Sequence, residues 1–122
     1  MWGNELGDVS IIQNLTNLEV LALTVNCITT LKDFGGLTKL RELYLRRNNI
    51  VANLEELEYL QTLTSLKTLN LAENPISSPH GGLPHYRLCV LFFVPWLEKL
   101  DDILVTPDEV TQATSMNLEQ IL

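Results

Sequence analysis

An eleven-residue pattern recurs three times in the chain and constrains its fold more than any other feature. Residues 40–50 (LRELYLRRNNI) have leucine at relative positions 1, 4 and 6, asparagine at position 9 and isoleucine at position 11. Residues 18–28 (LEVLALTVNCI) and 66–76 (LKTLNLAENPI) have the same residue types at these positions. The interval from Leu40 to Leu66 is longer than that from Leu18 to Leu40 by about one helical turn. This regularity predicts similar coils stacked on one another, each contacting its neighbours.

The pattern is that of a leucine-rich repeat. Leucines at positions 4 and 6 alternate as strand residues do, so they point inward while positions 3, 5 and 7 point outward. The asparagine is expected to bond the backbone of neighbouring coils where the strand ends. Apolar residues then follow at every third position, which is typical of a 3-10 helical convex side: Ile28, Leu31, Phe34, Leu37 and Leu40.

The predicted fold is therefore an α/β solenoid, a right-handed coil with short parallel strands on its concave face and a helical cap at its C-terminal end. Residues 1–76 form the repeats and residues 77–122 the cap of the same domain. Met1 falls at an inward position and Trp2 at concave position 7, so we expect a truncated first coil. We expect a monomer in which the exposed edge of that coil can pair with another chain.

The insertion in the third coil predicts a short α-helix over residues 53–61. Its polar residues are expected on a solvated face: Glu55, Glu56, Glu58 and Gln61.

Two further helices are predicted in the cap. Residues 85–94 (HYRLCVLFFV) are too apolar for a surface helix and end before Pro95, so we predict a buried helix, with a buried strand as the alternative. Thr106 and Glu109 form a capping box around Pro107, which predicts the start of a last helix. Its inward residues are expected to be Val110, Ala113 and Thr114, continued by Leu118 and Ile121.

Composition and motifs exclude several function classes. The net charge of −7 opposes direct binding to nucleic acid or anionic lipid, and the longest apolar run, residues 88–97, is too short to cross a membrane. No catalytic or nucleotide-binding motif is present, and two histidines with two cysteines make no zinc pattern. We expect no catalytic, cofactor or metal site, and reduced thiols at Cys27 and Cys89.

Outward side chains that the coils do not need are the candidates for binding. The central coil presents a tyrosine and two arginines, residue types that dominate interface energetics, and arginine suits a carboxylate or phosphate on a partner. The alternative is that these arginines only pair with acidic residues of adjacent strands. The predicted partner-binding residues are Glu42, Tyr44, Arg46, Arg47, Asn70 and Glu73.

The segments LEVLALTVNCITTL, LRELYLRRNNI, LAENP, VPWLEKLD and VTPDE, with the pair Tyr86-Arg87, carry a resemblance. Over residues 2–113 the chain resembles the leucine-rich-repeat domain of the cilia- and flagella-associated protein family that partners NIMA-related kinases. The resemblance implies a scaffold without enzymatic activity, located in the cytoplasm, the cytoskeleton and the basal body of the cilium or flagellum. Similar repeats with the same cap occur in a spliceosomal subunit and in a phosphatase regulator, so these functions are the alternative.

Overall fold

A computed structural model of the protein describes residues 10–116. Five strands form one sheet in chain order: β1 (Val20–Ala22), β2 (Glu42–Tyr44), β3 (Thr68–Asn70), β4 (Lys99–Leu100) and β5 (Ile103–Leu104). The first four are parallel, with Leu21, Leu43, Leu69 and Leu100 in register. The predicted truncation at Met1 and Trp2 lies outside the described residues, as do Leu118 and Ile121.

The inward leucines form the predicted column. Leu43, Leu69 and Leu100 have no exposed surface, while Leu21 in the first described strand is half-buried. The convex series from Ile28 to Leu40 is also buried, and a 3-10 helix spans Lys32–Phe34. The prediction of a leucine-rich-repeat solenoid is confirmed.

The asparagine at position 9 forms hydrogen bonds with the backbone, as predicted. The side-chain amide of Asn48 donates to the carbonyl oxygens of Leu45 in its own coil and Leu23 in the preceding coil, at 2.9 and 3.0 Å. Its carbonyl oxygen accepts from the amide of Ile28 at 3.1 Å. Asn74 repeats the arrangement one coil later, so these side chains connect successive turns of the solenoid.

The helix of the insertion, α1 (Leu54–Glu58), is shorter than predicted and is capped by Asn53. The prediction that Glu56 faces solvent is wrong, because this residue is buried. Its carboxylate accepts from the amide of Leu31 at 2.6 Å and from the hydroxyl of Thr30 at 2.9 Å. A buried carboxylate is retained here because donors of the preceding coil surround it.

The cap covers the far end of the column. Residues 85–94 contain the predicted helix, α2 (Tyr86–Phe93), and not the alternative strand. The capping box of Thr106 and Glu109 begins α3 (Pro107–Thr114) as predicted. Ala113 is buried and Val110 half-buried, but Thr114 is exposed, so its predicted inward position is wrong.

An arginine joins the parts of the cap. Arg87 on α2 donates to the carboxylate of Glu109 on α3 at 2.8 Å and to the carbonyl oxygen of Leu100 on β4 at 3.0 Å. The indole of Trp96 donates to the carbonyl oxygen of Leu63 at 2.9 Å, which attaches the cap to the preceding coil.

The connection into the cap requires a glycine at one point. A Cβ on Gly82 would lie 2.4 Å from the carbonyl oxygen of Ser78 and 2.9 Å from that of Ile76. No other residue fits this close backbone approach without moving the loop.

Candidate functional site

The corner at the end of each strand directs the side chain of position 8 outward. Val25, Arg47 and Glu73 occupy this position in successive coils, and their φ angles are 59°, 60° and 57°. A left-handed residue is unfavourable for side chains with a Cβ, and most so for a β-branched one. The repeat tolerates this backbone conformation because the turn brings the asparagine of position 9 into the core, while the side chain of position 8 remains outside it.

Five of the predicted residues lie together on β2 and at the ends of β2 and β3. We call this group the strand-end cluster: Glu42, Tyr44, Arg46, Arg47 and Glu73. The side chains of Arg46, Arg47 and Glu73 are 51%, 62% and 50% exposed, so all three are available to a partner. Tyr44 and Glu42 are half-buried in the middle of the sheet.

One carboxylate serves both arginines. The Nε of Arg46 lies 2.7 Å from Oε2 of Glu73, and the Nε of Arg47 lies 3.7 Å from the same oxygen. The predicted alternative of cross-strand pairing is therefore present in the structure, but exposed pairs of this kind contribute little stability. Two guanidinium groups sharing one carboxylate retain positive charge and unused N–H donors.

The second carboxylate of the cluster is occupied by the tyrosine. The hydroxyl of Tyr44 donates to Oε1 of Glu42. This hydrogen bond, followed by burial and the negative charge of Glu42, raises the pKa of Tyr44 above its ordinary value. Tyr44 therefore remains a neutral amphipathic ring beside the arginines.

The expectation that Asn70 lies open on the concave face is wrong, because it is 6% exposed. Its side-chain oxygen accepts from the amide of Ala72 at 3.0 Å, and its amide approaches Oδ2 of Asp102 at 3.4 Å. Asp101 and Asp102 form the two-residue turn between β4 and β5, with φ angles of 52° and 68°. Positive φ at both central residues is typical of a type I′ hairpin.

Sequence reasoning did not identify that hairpin. The segment KLDDIL has two acidic residues between Leu100 and the apolar pair Ile103-Leu104, and aspartate tolerates the left-handed region, so a turn signal is present. The side chain of Asp101 accepts from the amide of Leu71 at 2.7 Å, so the turn also closes the end of β3.

No group of three or more histidine, cysteine, aspartate or glutamate side chains among residues 10–116 is placed to hold a metal ion. Within the same part of the chain, no helix has the length and apolar content needed to cross a membrane. Both cysteines are free, with Cys27 exposed and Cys89 buried.

Comparison with known proteins identifies the repeat and a group of relatives. A leucine-rich-repeat family model matches residues 6–50, and a model of two leucine-rich repeats matches residues 38–85. The chain is 48% identical over 115 residues to human cilia- and flagella-associated protein 410, a match that covers 93% of this chain and 43% of the human protein. The chain thus spans less than half the length of this relative.

Solved structures support the same fold. An internalin from Listeria monocytogenes superimposes with a TM-score of 0.65 at 25% identity, covering 83% of this chain and 26% of that one. A chain of the Drosophila melanogaster SNF/U2A′ complex gives a TM-score of 0.68 at 19% identity, covering 98% and 82%. This chain therefore belongs to the leucine-rich-repeat family and, over most of its length, is similar to cilia- and flagella-associated protein 410.

Proposed function

We propose that this protein is a non-enzymatic protein–protein interaction module that binds its partner through the strand-end cluster. The observation that carries the proposal is the excess of positive charge at the end of the strands, where two exposed arginines meet one carboxylate. Glu42 keeps its negative charge at the start of β2, where it accepts from the neutral hydroxyl of Tyr44, whereas Arg46 and Arg47 at the strand end share the single carboxylate of Glu73. In a protein with a net charge of −7, this leaves a local positive surface beside an aromatic ring, which suits an acidic segment of a partner.

The proposed partner is a NIMA-related kinase or another ciliary protein, and the proposed location is the basal body of the cilium or flagellum. The support is the 47–48% identity to cilia- and flagella-associated protein 410 of mouse and human. The names of these relatives associate them with cilia and flagella. We propose that the residues of the strand-end cluster contact this partner.

Charge reversal of both arginines tests the proposal. We expect Arg46→Glu with Arg47→Glu to abolish capture of a NIMA-related kinase from a lysate of ciliated cells and to remove the tagged chain from the ciliary base. The melting temperature should remain nearly unchanged, because ion pairs at this exposure contribute roughly 0–1 kcal/mol.

The matched control reverses two cations outside the strand-end cluster, Lys32→Glu on the convex side with Lys99→Glu on β4, which changes the net charge equally. Equal loss of the kinase in both double variants would show that net charge, and not the strand-end cluster, governs binding. A large loss of thermal stability in the Arg46 and Arg47 variant would show that these arginines are structural.

The alternative of a spliceosomal subunit makes a different prediction in the same experiment. The similarity to a chain of the SNF/U2A′ complex, at 19% identity, shows the fold alone. Copurification of small nuclear RNA together with nuclear speckle staining would contradict the ciliary proposal.

A further inference from the structure

The opposite edge of the sheet, where the parallel strands begin, carries a ladder of charged residues. Position 2 of four successive coils is occupied by Glu19, Arg41, Lys67 and Glu98. The amide of Arg41 donates to the carbonyl oxygen of Glu19 at 2.7 Å, that of Lys67 to Arg41 at 2.8 Å, and that of Glu98 to Lys67 at 2.9 Å. The four side chains therefore start from backbone positions directly beside one another.

The order of charge along this ladder is unusual, because the two cations are neighbours in the middle. Arg41 lies 3.9 Å from Glu19 and Lys67 lies 3.4 Å from Glu98, so each cation approaches the carboxylate on its outer side. Like charges on directly opposite residues of a sheet are destabilising. These exposed ion pairs offset that repulsion only weakly, which leaves positive charge between the two middle coils.

A groove opens at this point. It has a volume of 570 Å³ and is lined by Arg41, Lys67, Lys39, Thr64, Ser65 and Glu19. Three cations and one carboxylate give the lining a net charge of +2, whereas the whole protein has −7. The hydroxyls of Thr64 and Ser65 add hydrogen-bonding groups of a kind that bind phosphate oxygens.

We propose that this groove binds the phosphoryl group of a phosphorylated serine or threonine segment of a partner protein. Such a group carries a charge of about −1.5 to −2 and three acceptor oxygens, which matches two neighbouring cations with hydroxyls beside them. Binding removes the repulsion between Arg41 and Lys67 that the free protein retains. This site is separate from the strand-end cluster and does not depend on the partner proposed there.

The flanking residues favour a single phosphoryl group over an extended polyanion. Glu19 and Glu98 stand on either side of the two cations along the ladder, so further phosphates of a nucleic acid backbone would meet negative charge. Glu19 and Glu98 would also repel an anionic membrane surface, and the net charge of −7 adds to this repulsion.

NMR titration of the isotope-labelled chain tests this proposal. The probes are inorganic phosphate and a short peptide with one phosphoserine, each added at constant ionic strength, beside the unphosphorylated form of the peptide. We expect saturable shifts of the amide signals of Arg41, Ser65 and Lys67, and tighter binding of the phosphopeptide than of phosphate. The unphosphorylated peptide should leave these signals unchanged.

Two variants with equal loss of charge separate a site from general attraction. Arg41→Ala with Lys67→Ala should weaken phosphopeptide binding about tenfold or more, because two charge-assisted contacts are removed. Lys32→Glu, on the convex side, changes the net charge by the same two units and should leave the affinity within about twofold, since Lys32 does not line the groove. Urea unfolding midpoints close to that of the original chain would confirm that both variants are folded.

Four results would overturn the proposal. These are equal weakening in both variants, equal binding of the two peptides, shifts that sulfate or chloride reproduce without saturation, and binding of phosphoinositide vesicles without binding of the phosphopeptide. The last result would identify a lipid headgroup as the source of the phosphoryl group. Loss of kinase capture through the strand-end cluster would leave this titration unchanged, so the two proposals fail separately.

Discussion

Replacing Asn48 by alanine tests the physical account of the strand corner most directly. Asn48 is 5% exposed and its side chain bonds four backbone groups of two coils, those of Ile28, Leu23, Leu45 and, at 3.4 Å, Arg46. Alanine removes all four hydrogen bonds without altering the backbone angles that the corner requires. The cost depends on which of the backbone groups find another partner.

The three carbonyl oxygens retain a partner in the variant, and that of Arg46 accepts from the amide of Val25 at 2.9 Å. Leu23 also accepts from the side chain of Asn26 at 2.8 Å, and Leu45 also accepts from that of Asn74 at 2.9 Å. The amide of Ile28 donates to the side-chain oxygen of Asn48 and loses this buried acceptor when alanine replaces it. One orphaned buried group costs roughly 1–3 kcal/mol, so we expect Asn48→Ala to lower the free energy of unfolding by about that amount.

Urea unfolding monitored by circular dichroism measures this loss. The control is the exposed neighbour variant Asn49→Ala, whose free energy of unfolding we expect within about 0.5 kcal/mol of the original chain. Hydrogen exchange adds a local readout, since the amide of Ile28 should exchange faster in Asn48→Ala. A free energy of unfolding equal to that of Asn49→Ala, with unchanged exchange at Ile28, would refute the reasoning.

Three further predictions concern the core, the corner and the cap. Leu45→Ala should cost about 2–5 kcal/mol in the urea assay by leaving a cavity at a fully buried position. Its control is Leu104→Ala, which changes a residue that is 71% exposed. That control should cost only about 0.5 kcal/mol, and an equal loss in both variants would contradict the prediction. The φ angle of Val25 is 59°, and asparagine tolerates such an angle better than valine. Val25→Asn should therefore raise the free energy of unfolding by about 1 kcal/mol, and an unchanged or lower urea midpoint would contradict this. Hydrogen bonds from Arg87 lower the pKa of Glu109 from 4.5 to about 2, so their contribution is present above pH 4.5 and is lost as the pH falls toward 2. The difference in unfolding free energy between the original chain and Glu109→Gln should shrink across that window, and a constant difference would contradict the prediction.

The sequence by itself determined the repeated coil, because the leucines and asparagines that form it recur at fixed positions. Leu43 and Leu69 are buried as their spacing predicted, and Asn48 bonds the backbone as its position predicted. Each of these outcomes follows from strand alternation and from the loss of ladder partners at a corner, which are properties of a short segment. The start of α3 also depends on local interactions alone, since Thr106 and Glu109 bond each other's backbone groups within one turn.

The tertiary structure alone decided which polar side chains remain available. Glu56 was expected in solvent and Asn70 on the concave face, yet both are buried. The donors of Glu56 are on Thr30 and Leu31, and Asn70 is covered by Asp102, which lies 32 residues away in the sequence. Periodicity tells which face a side chain occupies, but the atoms it meets there belong to another coil, and only the stacking of coils determines them.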